Sequence, residues 1–160
     1  MKGSVLDLPI IAIILLGGVI AVIVGFMVFS SINNAWPAAA GVQSKYVLNK
    51  AVSTFTLFDQ VFLMGAMGLC IFSIISAFYV NSHPVFFIFS MIGLGVVILI
   101  NTVIANVFWE FVNAPAIATY ANSFPFMVTF MKNLPLISGI VGLLIAIATH
   151  GKPGGGGSGI

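Results

Sequence analysis

The chain has 160 residues, of which 61% are hydrophobic and 5% are charged, and its mean hydropathy is +1.23. Soluble domains carry about 25% charged residues, so this composition excludes an ordinary water-soluble protein and predicts that lipid surrounds much of the chain. The five cations are scattered lysines, which excludes the clustered basic surface that nucleic-acid binding needs.

Three apolar stretches along the chain are each long enough to cross a membrane. A spanning helix needs about 20 residues to cross roughly 30 Å of hydrocarbon, and the first three such stretches cover about 8–32, 54–80 and 85–107. The polar break at 81–84 contains a proline, which favours a turn over helix continuation. We therefore expect the second and third spans to form an antiparallel hairpin.

A fourth span is predicted at about 126–149, although Lys132, Asn133 and Pro135 interrupt it. Only 134–149 is free of interruption, so a full crossing requires the preceding turns and a kink at Pro135. The sequence therefore predicts an all-α, polytopic membrane bundle with four transmembrane helices. Three spans followed by a re-entrant or interfacial C-terminal segment are the alternative.

The domain organisation predicted from this layout is simple. Residues 1–150 form a single transmembrane helical domain, and residues 151–160 form a flexible glycine-rich tail. Four crossings would place the segments 33–53 and 108–125 on one side of the membrane. That side carries most of the charge and an interfacial aromatic belt, formed by Trp36, Lys45, Lys50, Asp59, Trp109, Glu110, Tyr120 and Lys132.

Two asparagines, Asn101 and Asn106, lie within the third span. An amide in hydrocarbon must find a partner, so we expect both to form hydrogen bonds between helices or between subunits. A polar pathway along this span is the alternative. Near the membrane surface, Asp59 and Glu110 are expected to form interfacial ion pairs with lysines, although a proton relay would use the same residue types.

Small residues recur at every fourth position in two of the spans. Such ridges allow close approach of helix backbones, which predicts close packing of spans one and four, with each other or with neighbouring copies. The residues concerned are Gly17, Ala21 and Gly25 in the first span and Ser138, Gly142 and Ala146 in the fourth.

No pattern of catalytic residues is visible in the sequence. Neither histidine has metal-ligand spacing, no serine lies in a nucleophile motif, and Cys70 is the only cysteine. The sequence therefore predicts no catalytic residues, no cofactor and no metal, and a protein that is not an enzyme.

The size, the scarcity of charge and the span layout indicate a multi-pass membrane subunit whose partners are the lipid bilayer and either copies of itself or other membrane subunits. In these general features the chain resembles small polytopic proteins of membrane-containing icosahedral virions and small subunits of secretion or conjugation complexes. This resemblance implies a structural role. A small oligomeric channel or transporter, with Asn101, Asn106 and Glu110 lining a path, is the second hypothesis.

Overall fold

A computed structural model describes residues 8–37, 41–79 and 86–150 of the chain, with backbone alone for residue 86. The predicted turn at 81–84 and the predicted tail at 151–160 lie outside the described residues. Within those three ranges all of the regular structure is helical. The helices are α1 (Leu8–Ala35), α2 (Val42–Phe78), α3 (Phe86–Asn113), α4 (Ala118–Ala121), α5 (Pro125–Lys132) and α6 (Leu134–His150).

Three of these helices, α1, α2 and α3, are each long and apolar enough to cross a membrane. Helices α5 and α6 meet the same criterion only when taken together, and they are bent by 65° relative to each other. The predicted all-α membrane bundle is therefore confirmed, with three helices long and apolar enough to span and a bent C-terminal pair.

Helix α2 is much longer than a crossing requires. It begins at Val42, well before the predicted start near residue 54, and has 37 residues, which corresponds to a length of about 56 Å. The helix follows Gly41, which has a φ of 100°, and the segment after this glycine contains no further glycine or proline before Gly65. Because hydrocarbon is only about 30 Å thick, α2 projects well beyond it.

The four long helices form a ring in the order α1, α2, α6, α3. Helix α6 packs against both α2 and α3, and α1 packs against both α2 and α3. Helices α2 and α3 thus lie across the bundle from each other, so the two helices of the predicted antiparallel hairpin do not pack side by side. Although α2 and α3 are consecutive in the chain, the C-terminal helix α6 packs between them and contacts both.

The bend between α5 and α6 is centred on Asn133 and has a local cause. Pro135 has no N–H to bond to the carbonyl of Met131, and its ring crowds that carbonyl. Asn133 directs both its backbone N–H (3.2 Å) and its side-chain amide (2.8 Å) to the carbonyl of Thr129. These two bonds close the last turn of α5, so the kink expected at Pro135 lies two residues earlier.

The core is aromatic at the end of the bundle where α4 and α5 lie. Phe108 and Phe124 are completely buried, and the rings of Phe26 and Phe124 meet edge to face with their centroids 5.1 Å apart. Phe62 and Phe130 make a similar contact at 5.6 Å. Bulky side chains therefore close this end of the space between the long helices.

Candidate functional site

Asp59 is the most heavily buried carboxylate among the described residues, with 4% of its surface exposed. Its two oxygens accept hydrogen bonds from the backbone N–H groups of Phe126 (3.0 Å) and Met127 (2.7 Å). Both donors lie in the first turn of α5, where the helix dipole favours a negative charge. Asp59 on α2 is therefore a capping residue for a helix that lies 67 positions further along the chain.

This contact accounts for every backbone N–H group at the start of α5. Phe124 donates to the carbonyl of Ala121 (2.9 Å), Val128 donates to the carbonyl of Phe124 (3.0 Å), and Pro125 has no N–H. The two remaining donors belong to Phe126 and Met127, and these are the groups bound by Asp59. A helix start buried without such partners would be costly, so Asp59 locks α5 to α2.

The capping role differs from the ion pair that the sequence suggests. Asp59 bonds to backbone amides, and neither Lys50 nor Lys132 contacts it. Glu110 is exposed on α3 and has no polar partner among the described residues. Asp59 is thus buried on α2 and Glu110 is exposed on α3, and neither acid forms an ion pair with a described residue.

Asn101 lies inside the bundle with 1% of its surface exposed. Neither its Oδ1 nor its Nδ2 has a hydrogen-bond partner. The residue lines a cavity of about 30 Å³ together with Cys70 and Ser138, and the Ser138 hydroxyl donates to the carbonyl of Pro135 (3.0 Å). A cavity of this size has room for about one water molecule, so Asn101 lies beside a small pocket.

Asn106 faces the opposite way from Asn101. It is exposed on the outside of α3 and has no polar partner within the described part of the chain. Five residues correspond to about 140° around a helix, which explains why one amide points inward and the other outward. The two asparagines and Glu110 therefore do not line a common path within one copy of the protein.

A polar junction joins the end of α1 to the projecting part of α2. The Asn33 side chain donates to Oδ1 of Asn49 (2.9 Å), and the Lys45 ammonium donates to the backbone carbonyl of Asn33. A cation at the C-terminal end of a helix is favoured by the helix dipole and by the free carbonyls there. The junction thus fastens α2 to α1 outside the hydrocarbon.

Next to this junction is an open cleft of about 400 Å³. Its lining combines exposed aromatic rings, an amide and an ammonium group, contributed by Trp36, Val42, Lys45, Tyr46 and Asn49. Lys50 is exposed on the same segment of α2. The structure therefore places three of the residues predicted to form the interfacial belt, Trp36, Lys45 and Lys50, at or next to this cleft.

Of the other members of that predicted belt, Asp59 lies on α2 against the start of α5, and the rest lie on α3, α4 and α5. The Lys132 ammonium is 4.5 Å from the ring centroid of Trp109, a distance at which a cation and an aromatic ring attract each other. Tyr120 is partly buried, and its ring centroid lies 6.2 Å from that of Phe26. This second group is therefore held partly by the aromatic core.

The two ridges of small residues have different environments. Ser138, Gly142 and Ala146 are buried, and a Cβ placed on Gly142 would lie 2.3 Å from Cδ1 of Leu94 on α3. In contrast, Gly17 and Ala21 are exposed, and Gly17 has open space around it. Gly25 is closer to its neighbours, with Phe55 3.2 Å from the position of a Cβ.

The ridge on α6 thus packs most closely on α3, and Leu8 of α1 also lies against it, 3.4 Å from the position of a Cβ on Gly142. Within the described ranges, no group of three or more His, Cys, Asp or Glu side chains is arranged to hold a metal ion. The one role that sequence reasoning missed is the capping of α5 by Asp59. Proline is favoured at the first position of a helix, so Pro125 marks the start of α5 in the sequence. The carboxylate that caps this helix belongs to Asp59, which is far from Pro125 in the chain, so no local pattern indicates the contact.

Comparisons with family models, with curated proteins and with solved structures found no match for this chain.

Proposed function

We propose that this multi-pass membrane protein is a non-enzymatic structural subunit of a larger membrane assembly. Its role would be to pack in the bilayer with other subunits and to present a docking surface outside the hydrocarbon. A membrane protein of a membrane-containing virion and a small subunit of a secretion or conjugation complex are examples of such components. In this proposal its partners are lipid, other membrane subunits and further copies of itself.

The observation that carries the proposal is the projection of α2. Lys45 and Lys50 must lie outside the hydrocarbon because charged groups within it are costly, so at least the first two turns of this 37-residue helix stand outside the hydrocarbon. Tyr46 and Val47, which are 66% and 61% exposed, lie on this segment. Exposed aromatic side chains rimmed by polar groups are typical of contact surfaces.

The interior of the bundle supports the same proposal. A solute path needs polar side chains arranged along its length, whereas the buried polar side chains among the described residues are Asn101 and Ser138 beside a small cavity and Asp59, which is bonded to the start of α5. Phe108, Phe124 and Met127 close the end next to α4 and α5. These features favour a packing function over conduction through a single copy.

An oligomeric channel or transporter is the alternative function. Its polar path would have to run between copies, because Asn106 and Glu110 face outward from α3. The exposed position of these two residues is the specific observation that favours this alternative.

The proposal is tested by purifying the full chain from its native membrane in a mild detergent and identifying the co-migrating proteins by mass spectrometry. Lys50→Glu changes an exposed charge on the projection, and Lys152→Glu is the control with the same change of charge near the C-terminus. We expect a defined partner to be lost with Lys50→Glu and retained with Lys152→Glu. A chain that purifies alone, or a partner lost equally with both variants, would overturn the proposal.

A further inference from the structure

The outward face of α3 carries a regular row of exposed side chains. Ile92, Val96, Leu99 and Val103 are 62%, 50%, 69% and 62% exposed, and the exposed Asn106 continues the row. The intervals between them are four, three, four and three residues, which is the spacing of the a and d positions of a heptad repeat. None of the described helices covers this row.

The residue types in the row match those of a parallel two-stranded contact. Val96 and Val103 occupy a positions and Leu99 occupies a d position, the combination of β-branched and leucine side chains that favours two strands. Apolar side chains alone do not drive helices together in lipid, because the lipid tails are equally apolar. The polar member of the row, Asn106, therefore decides whether this face pairs.

Asn106 lies one turn further into the bilayer than Glu110, on a face that would otherwise meet lipid. An amide there leaves two donors and one acceptor group without partners, which is unfavourable in hydrocarbon. A second amide at the same depth can satisfy it reciprocally, since each side chain offers a donor and an acceptor. Copies inserted in the same orientation place identical residues at identical depth.

We propose that a second copy of this chain covers the row, forming a parallel dimer in which α3 packs on α3 and the two Asn106 amides bond to each other. The contact is isologous, as a two-fold axis along the membrane normal requires. The inference rests on the proposed function in that it names one partner of the subunit, although it does not involve the projection that carries Lys50.

The same geometry limits how far the dimer contact extends. Glu110 is the next member of the row after Asn106 and has no cation bound to it among the described residues. A parallel pair would place two carboxylates near each other at this level, and like charges oppose association. The contact therefore ends at Asn106, and removal of the charge at Glu110 should strengthen it.

Cysteine crosslinking tests the arrangement directly. In a Cys70→Ala background, which removes the only native thiol, Val96→Cys and Val103→Cys are each reconstituted in lipid vesicles and oxidised. Met91→Cys is the matched control, because Met91 is 38% exposed on the same helix but lies about 140° around it from Val96. A disulfide requires Cα atoms about 4.4–6.8 Å apart, so we expect dimers from both valine positions and none from the control.

Self-association measured by energy transfer at graded protein-to-lipid ratios supplies the second test. We expect Asn106→Leu to weaken the dimer by roughly 3- to 30-fold, the range for a hydrogen bond between membrane helices. Asn106→Gln should preserve it and Glu110→Gln should strengthen it.

A protein that stays monomeric, equal crosslinking at Met91, or an unchanged dissociation constant for Asn106→Leu would overturn the dimer. A crosslink at these positions to a different subunit would overturn it as well. None of these results would alter the partner test based on Lys50→Glu, so failure of the dimer and failure of the proposed function are distinguishable.

Discussion

Replacing Asp59 should uncouple α5 from α2. The carboxylate accepts hydrogen bonds from the backbone N–H groups of Phe126 and Met127, and no other acceptor bonds to either group. In Asp59→Leu both N–H groups lose their partner while the side chain remains of similar size. In Asp59→Asn one oxygen is kept, so one of the two bonds can persist.

The expected magnitude follows from these two bonds. A buried donor left without a partner costs about 1–3 kcal/mol, and bonds to a charged acceptor lie toward the upper end. Asp59→Leu leaves two such donors without a partner, but it also removes the cost of burying the charge of Asp59. We therefore expect the free energy of unfolding to fall by about 3 kcal/mol. For Asp59→Asn we expect about 1–2 kcal/mol, because a single donor is left unpaired.

The free energy of unfolding is measured by denaturant titration in detergent micelles, with Glu110→Gln as the control. Glu110 is exposed and lacks a polar partner within the described residues, so its substitution should change monomer stability by less than about 0.5 kcal/mol. Wild-type stability in Asp59→Leu, or equal losses in Asp59→Leu and Glu110→Gln, would refute the capping role.

Two further predictions concern packing in the bundle. Gly142→Ala should destabilise the protein by about 1–3 kcal/mol through overpacking, because the new Cβ would lie 2.3 Å from Leu94. Gly17→Ala, in open space within α1, should cause no loss in the same denaturant titration and should gain up to about 1 kcal/mol, because alanine has the higher helix propensity. Equal effects of the two substitutions would argue against the α3–α6 contact. Asn101→Leu removes two buried polar atoms that have no partner and should raise stability by about 1–2 kcal/mol, whereas a marked loss would mean that the amide is bonded.

The sequence predicts the helices more reliably than their arrangement. Long uncharged stretches must be helical in lipid, because a helix bonds its own peptide groups internally, and this is why α1 and α3 lie close to where they are predicted. The start of α2 was predicted too late because the polar segment after Gly41 is outside the hydrocarbon, where polarity does not oppose helix formation. Hydropathy alone therefore cannot locate the end of a projecting helix.

The environment of individual side chains depends on contacts that no local pattern encodes. The 140° between Asn101 and Asn106 is calculable from helix geometry, but which of the two faces inward is decided by the packing of α6 on α3. In the same way, the ridge of small residues at Gly142 could be recognised in the sequence, whereas its contact with Leu94 depends on the order of the helices in the ring.

Solute flux through vesicles containing the purified protein most directly tests the claim that the bundle is a packing unit and not a conduit. At protein-to-lipid ratios where the chain self-associates, we expect ion and small-solute flux equal to that of protein-free vesicles, for the wild type and for Asn101→Leu alike. A selective conductance that Asn101→Leu abolishes would contradict the account and establish a polar path through the third span.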